Sequence, residues 1–323
     1  MDSGKAFEYA LLKEFEEKLQ QKTHLQIIQN SSFFVAKDCF ESFDETQKSS
    51  YLLTASFAVN FLIDIEPRLS HGFDANDVLQ LEILQDSKGQ EGDVRDVLAI
   101  RLLQKWEIGI SAKNNHHAVK HSRLSKNIDF GKKWLGIESS KTYFDEISPI
   151  FDNLRDLRLE SNATQTWSSL GDYHSLVYKP ILDAFIKELN RLYEGNPEKV
   201  AHNLVRYLVG NKDFYKVIKC RGGLEIEAFN LYGTLNLPFK DVKPKFITPK
   251  IDLPTVITDI SYKQESKNTV IISLDNGWKL SFRIHNASSR IEASLKFDIN
   301  LIGAPHSLIT NKLSIENNHE VLQ

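Results

Sequence analysis

The sequence predicts an α+β fold with a central β-meander, a largely helical stretch at about 144–210 and a β-rich C-terminal part. Three observations predict it. Apolar residues recur at helical spacing near the N-terminus and again in PILDAFIKELNRLYEG and PEKVAHNLVRYLVG, with Gly195 and Gly210 as stop signals. Two extended runs, about 94–102 and 106–113, flank a polar bend at Gln104 and Lys105. After a Pro-rich segment, apolar and polar residues alternate through TVIISLDNGWKLSFRI and ASLKFDINLIG.

Residues 4–22 form the first expected helix, with Phe7, Leu11, Leu12, Phe15 and Leu19 on one stripe and Glu8 beside it. This acidic, amphipathic start lacks the basic and apolar regions of a secretion signal. No apolar run reaches membrane-spanning length. A second helix is expected over 49–65, apolar on most faces and ended by Pro67. Residues 78–85 alternate as a strand, and DSKGQEG is a loop. Asp93 and Asp96 stand at the mouth of the next strand. Asp96 runs directly into VLAI; Asp93 has the opposite parity to Asp96 and is either a second site acid or a loop acid.

Along 106–113, side chains alternate between faces. Glu107, Gly109, Ser111 and Lys113 share one face, while Ile108, Ile110 and Ala112 share an apolar face that should be buried. Asn114 to Ser125 is expected as a basic helix, capped by Asn114 or Asn115. It leaves His117, Lys120, His121 and Arg123 available for phosphates. DFYKVIKC reads as a strand carrying Tyr215 and Lys216, Arg221-Gly222-Gly223 as its turn, and LEIEAFNLYGTL as a further strand.

The composition shifts at 237–254, where LPFKDVKPKFITPKIDLP holds four prolines. This connection separates an expected first part, 1–236, from a β-rich part, 255–323. In the latter, Asn276-Gly277 marks a type I′ hairpin turn. HNASSR lies between strands, so that Arg283, His285, Asn286, Ser288, Ser289 and Arg290 gather around one loop. Arg matches the major-groove edge of guanine and Asn that of adenine, and a β-ribbon can enter that groove.

Hydrophobic residues at 41% and charged residues at 26% describe an ordinary globular protein, and 323 residues can bury a sizeable core. Cys39 and Cys220 have no metal-ligand spacing and suit a reducing compartment. The net charge of −3 is unevenly spread. Residues 1–100 carry 9 Lys and Arg against 18 Asp and Glu; residues 101–135 carry 8 against 2. A local basic segment in a near-neutral chain fits a defined phosphate-contacting surface.

The order of acid, strand, turn, strand, lysine and basic segment suits a centre that cuts a phosphodiester with a divalent metal. Mg²⁺ takes hard carboxylate oxygens and keeps waters that phosphate oxygens can replace. A neighbouring lysine can stabilise developing charge or help to activate water. Zinc is disfavoured: His116 and His117 are adjacent and there is no HEXXH or Cys cluster. Neither a G-x-S-x-G elbow nor a Walker glycine loop is present.

Asp96 followed by Ser111-Ala112-Lys113 resembles the PD-(D/E)XK nuclease core, with Ser111 where an acid is expected. Glu107 lies about 20 Å along the strand from Lys113, too far to replace it. The strings GKAFEYA, SAKNNHHAVKHSRLS, DFYKVIK and RIHNASSRIEASLKFD together resemble the HaeIII family of type II restriction endonucleases. The resemblance implies a mixed sheet flanked by helices within residues 1–236, with 144–210 as an insertion. It also implies that a helix preceding the sheet lends an acid, which makes Glu8 the candidate to replace the missing one.

The implied site has Asp96 as principal metal ligand, helped by Glu8 or Asp93. Lys113 stabilises the transition state or orients water, and Ser111 binds a metal-bound water. The implied cofactor is Mg²⁺, with Mn²⁺ as a substitute. Double-stranded DNA is the implied substrate, at a short palindrome, GGCC. Asn115, His117, Lys120, His121, Arg123, Tyr215, Lys216, Arg283, His285, Asn286 and Arg290 are the implied DNA contacts. A cytoplasmic bacterial enzyme, a possible homodimer, and a cognate DNA methyltransferase as functional partner complete the expectation. The Ser111 exchange keeps open a catalytically degenerate DNA-binding protein, and a structure-selective nuclease of the same fold is a third reading.

Overall fold

A computed structural model describes residues 2–74, 76–85, 92–114 and 118–315, with the backbone alone described at 118–121. The chain forms two compact units: Met1–His117, Gly210–Ile251 and His306–Gln323 make the first, and Ala118–Val209 with Asp252–Pro305 the second. The helical stretch at 144–210 therefore groups with the C-terminal strands rather than with the N-terminal part. One passage between units, at Ile251 and Asp252, falls inside the Pro-rich connection. No helix among the described residues is long and apolar enough to cross a membrane.

The first unit is built on helices α1 (Ser3–Leu19), α2 (Ser31–Glu41) and α3 (Glu45–Ile65) and a seven-stranded mixed sheet. Asp2, Asn30 and Asp44 cap these helices by accepting from backbone N–H groups of their first turns. The strands met first are β1 (His24–Ile28), β2 (Val78–Ile83), β3 (Val97–Arg101) and β4 (Trp106–Asn114). β5 (Ala118–Leu124) leaves for the second unit. β6 (Phe214–Cys220), β7 (Gly223–Phe229) and β12 (Thr310–Ser314) complete the first sheet.

Its order is β1-β2-β3-β4-β6-β7-β12. β1 with β2 and β4 with β6 are parallel; β2 with β3, β3 with β4, β6 with β7 and β7 with β12 are antiparallel. The expected alternation on β4 holds: Ile108, Ile110 and Ala112 are buried in one core with Phe7, Leu11, Phe15, Val59 and Leu62 of the helices. Each buried Ile, Leu, Val or Phe side chain contributes about 1.5–3 kcal/mol, so this layer fixes which face of β4 remains for Ser111 and Lys113. Arg101, fully buried, is held by Asp77 and by the carbonyls of Arg68, His71 and Gly72.

In the second unit, α4 (Lys141–Glu160), α5 (Lys179–Gly195) and α6 (Pro197–Val209) accompany a five-stranded antiparallel sheet. Its further strands are β8 (Ile257–Tyr262), β9 (Thr269–Leu274), β10 (Lys279–His285) and β11 (Leu295–Gly303), in the order β5-β11-β10-β9-β8. Asn276 and Gly277 both have positive φ, as the type I′ turn requires. Phe185 packs 4.9 Å from Phe130 and 5.2 Å from Phe297, and Trp134 stacks on Tyr207 at 5.2 Å, which makes an aromatic core.

The basic helix expected over Asn114–Ser125 is not formed. Ala118–Leu124 is strand β5, paired with β11 through Leu124 opposite Leu295 and Arg123 opposite Lys296. The alternation of Ser122 and Leu124, both buried, with exposed Arg123 is a strand pattern.

Candidate active site

The centre of the first sheet brings the expected acid and lysine together. Asp96 sits one residue before β3 and extends the ladder. Its N–H donates to the Ile110 carbonyl at 2.8 Å, and its carbonyl accepts from Leu84 N–H at 2.8 Å. Bonds to both neighbouring chains fix the Asp96 backbone. Its carboxylate then turns along β4. Oδ2 accepts from Ala112 N–H at 2.7 Å, from Lys113 Nζ at 3.2 Å and from Ser111 Oγ at 3.3 Å. Oδ1 accepts no hydrogen bond among the described residues. The Asp96 and Lys113 side chains are 22% and 27% exposed, open enough for a ligand to reach them. Ser111 is almost fully buried.

Glu8 joins this centre from the second turn of α1. Its carboxylate accepts from Lys5 Nζ at 3.0 Å. Burial and, next to it, the Asp96 carboxylate push the Glu8 carboxyl up, Lys5 and Lys113 pull it back, and the balance stands at about 8. The charges of Asp96 and Lys113 therefore reach Glu8, and below about pH 8 Glu8 keeps its proton. Two carboxylates that repel each other in a shielded place, one with an oxygen left open, are a donor set of hard oxygens that a divalent cation would relieve. Among the described residues no group of three His, Cys, Asp or Glu side chains is arranged for a metal. A site of two carboxylates with waters is what Mg²⁺ commonly uses.

Asp93 is engaged elsewhere. Both of its oxygens accept from Arg95, at 2.7 and 2.8 Å, which favours the loop-acid alternative over a metal ligand. Tyr215 and Lys216 are not on a surface. Tyr215 is fully buried and donates to Glu66 at 2.6 Å; Lys216 is 4% exposed and lies 3.2 Å from Glu227. Asn115 and His117 lie outside the described residues, and Lys120 and His121 are placed on β5 by backbone alone.

In the second unit, Arg123 donates to Ser294 at 3.0 Å and is half exposed. Arg283 pairs with Asp298, which also lies 3.3 Å from His285 Nε2. Asn286 is engaged on both sides: its side-chain oxygen accepts from Tyr178 at 3.0 Å, and its amide donates to the Ser288 carbonyl of its own loop. Arg290 is exposed.

Two features of the centre escape a reading by motif. The Ala112 N–H is a backbone donor, invisible in a side-chain pattern. Lys5 lies three residues before Glu8 on one helix, a spacing that places two charges side by side and could have been found.

Comparison with known proteins decides the family. The family described as HaeIII restriction endonuclease matches residues 4–305. The chain belongs to the HaeIII restriction endonuclease family. It is 43% identical over 310 residues to the type II restriction enzyme HaeIII of Haemophilus aegyptius, a match that covers 95% of this chain and 96% of that relative. No solved structure matches. Membership makes the chain a type II restriction endonuclease, a site-specific deoxyribonuclease acting on double-stranded DNA. The alternative of a catalytically degenerate binder gives way to it. The α+β architecture, with a mixed sheet and flanking helices, agrees with that family. Restriction enzymes of this type generally use a divalent metal.

Proposed function

We propose that this enzyme hydrolyses phosphodiester bonds at the palindrome GGCC with Mg²⁺ as its metal, and that Asp96, Glu8, Lys113 and Ser111 are its active site. The observation that carries the assignment is the shared Asp96 Oδ2, which joins Lys113, Ser111 and the Ala112 N–H at one point. The GGCC target rests on family membership and on the 43% identity to HaeIII.

Asp96 Oδ1 and the Glu8 carboxylate would hold the ion, which when bound polarises a scissile phosphate and lowers the pKa of a coordinated water. The Ala112 N–H and Ser111 Oγ orient the Asp96 carboxylate through Oδ2 and leave Oδ1 for the ion. Lys113 Nζ, 3.2 Å from the same carboxylate, supplies positive charge for the phosphorane-like transition state or orients the attacking water. Glu8 must give up its proton for the ion.

For DNA contacts we assign phosphates to the basic run of Asn115, His117, Lys120, His121 and Arg123, and base or phosphate contacts to Arg290. Arg283 and His285 would serve only after leaving Asp298. A palindrome calls for a twofold arrangement, so a homodimer is the simplest assembly. A methyltransferase protecting the same sequence in a bacterial cytoplasm is the functional counterpart.

The test is digestion of a plasmid of known sequence, with Mg²⁺ or Mn²⁺, and mapping of the ends. Ends at every GGCC and nowhere else are expected. Cutting at another sequence removes the target assignment, and preferential cutting of DNA junctions over linear duplex favours a structure-selective enzyme.

A further inference from the structure

Arg95 precedes Asp96 and is nearly buried, with a side chain only 4% exposed. Its Nε and Nη2 donate to Asp93 at 2.8 and 2.7 Å, and its Nη1 donates to Glu107 on β4 at 3.1 Å. Glu107 is also held by Lys212 at 3.1 Å. Burial pushes the Glu107 carboxyl up, but Arg95 and Lys212 together bring it below its ordinary value, so the clamp is ionised. The arginine stem lies flat on β4 at Gly109: a Cβ there would stand 2.0 Å from Arg95 Cδ and 2.6 Å from Cγ. Gly109 is needed for space.

We infer that Arg95 is a positioning residue for the metal centre, acting through the backbone that carries Asp96. This rests on the proposed site at Asp96. The clamp ties the chain entering β3 to the strand that carries Ser111 and Lys113. The Asp96 carboxylate must fall within hydrogen-bond reach of three donors on that strand. A displacement of about 1 Å at such a point costs orders of magnitude in rate. A buried charge with two ion partners adds little net stability compared with apolar packing, and β3 and β4 are already paired through five residues each. The arrangement therefore fixes geometry more than it holds the fold. Lysine cannot reproduce it, because a single ammonium lacks the planar fork that engages Asp93 twice.

The experiment compares the full-length protein with Arg95→Gln, Arg95→Lys, Gly109→Ala and Glu107→Gln. Mn²⁺ binding without DNA is followed by electron paramagnetic resonance of the free ion, and the Mg²⁺ concentration for half-maximal plasmid cleavage is measured beside it. Thermal unfolding establishes the folded fraction. Loss of an outer partner of a metal site costs roughly 10–100-fold in affinity. Arg95→Gln and Gly109→Ala should weaken Mn²⁺ binding and raise the Mg²⁺ midpoint within about that range, with Arg95→Lys intermediate. Folded variants with unchanged Mn²⁺ affinity and Mg²⁺ midpoint overturn the inference. If the Arg95 and Gly109 variants do not fold, Glu107→Gln decides, since that carboxylate is one-third exposed: an unchanged midpoint overturns the inference there too. Asp96→Asn separates the two claims. If it still cleaves, the site assignment fails; if it is inactive while the clamp variants behave as unmutated protein, only the role of Arg95 fails.

Discussion

Lys113 Nζ lies 3.2 Å from Asp96 Oδ2, across two strands that pair through Val97 and Ile110. A positive charge and the acid proposed to hold the metal thus meet at one end of a strand pair whose other face is sealed in the core. Lys113→Ala should lower cleavage by about 10²–10⁴-fold and leave thermal stability nearly unchanged. Cleavage within a fewfold of normal would remove Lys113 from the chemistry.

Glu8 gives the centre a pH dependence with a definite sign. Its carboxyl is held at about 8 by burial and by Asp96. The folded, metal-free chain keeps a proton that the unfolded chain loses near pH 4.5. Its contribution to stability is full below that value and is lost as pH rises through about 8. Metal affinity runs the other way: below pH 8 an ion must displace that proton, so affinity rises with pH and levels off above 8. Calorimetric titration of Mn²⁺ from pH 6.5 to 9 should show proton release at the acid end. Glu8→Gln should abolish that release and most cleavage; a Glu8→Gln enzyme with normal metal affinity would contradict the role.

Glu66 predicts a second slope, away from the site. Burial raises its carboxyl to about 7, against hydrogen bonds from Tyr215 and the Asn236 N–H that pull it down. Oε2 has no partner among the described residues. Neutral Glu66 favours the fold, so its contribution is lost as pH rises from the ordinary carboxyl range through 7. Thermal unfolding in the absence of metal should show less loss between pH 5 and 8 in Glu66→Gln than in the unmutated protein. Identical slopes would show that Glu66 ionises at its ordinary value.

Asp77 and Arg101 form a fully buried ion pair. Removing one charge leaves the other unpaired in the interior, which costs about 3–5 kcal/mol. Asp77→Asn should lower the urea midpoint accordingly, with loss of soluble protein. A shift under about 1 kcal/mol would mean that the three backbone carbonyls around Arg101 suffice.

Much of this centre is legible in the sequence because it depends on local alternation. Parity along residues 106–113 places Ser111 and Lys113 together, and Asp96 enters the adjoining strand one residue ahead of its first ladder pair. The basic segment after Lys113 was not legible. Ala118–Leu124 has few apolar residues, and what decides strand over helix is its pairing with β11, far along the chain. The resemblance implies Tyr215 and Lys216 as DNA contacts, but β6 lies between β4 and β7, so Tyr215 enters the core and Lys216 meets Glu227. The role of Asp93 was left open by sequence; the arginine two residues on claims it. The interleaving of the two units also lies beyond local signals, since β12 closes the first sheet from the far end of the chain.

Anomalous scattering from Mn²⁺ in crystals of the protein tests the central claim most directly. A peak within coordinating distance of Asp96 Oδ1 and of a Glu8 carboxylate oxygen, absent in Asp96→Asn, is the predicted result. Mn²⁺ bound elsewhere, with Glu8 still joined to Lys5 and Asp96 without an ion, would contradict it.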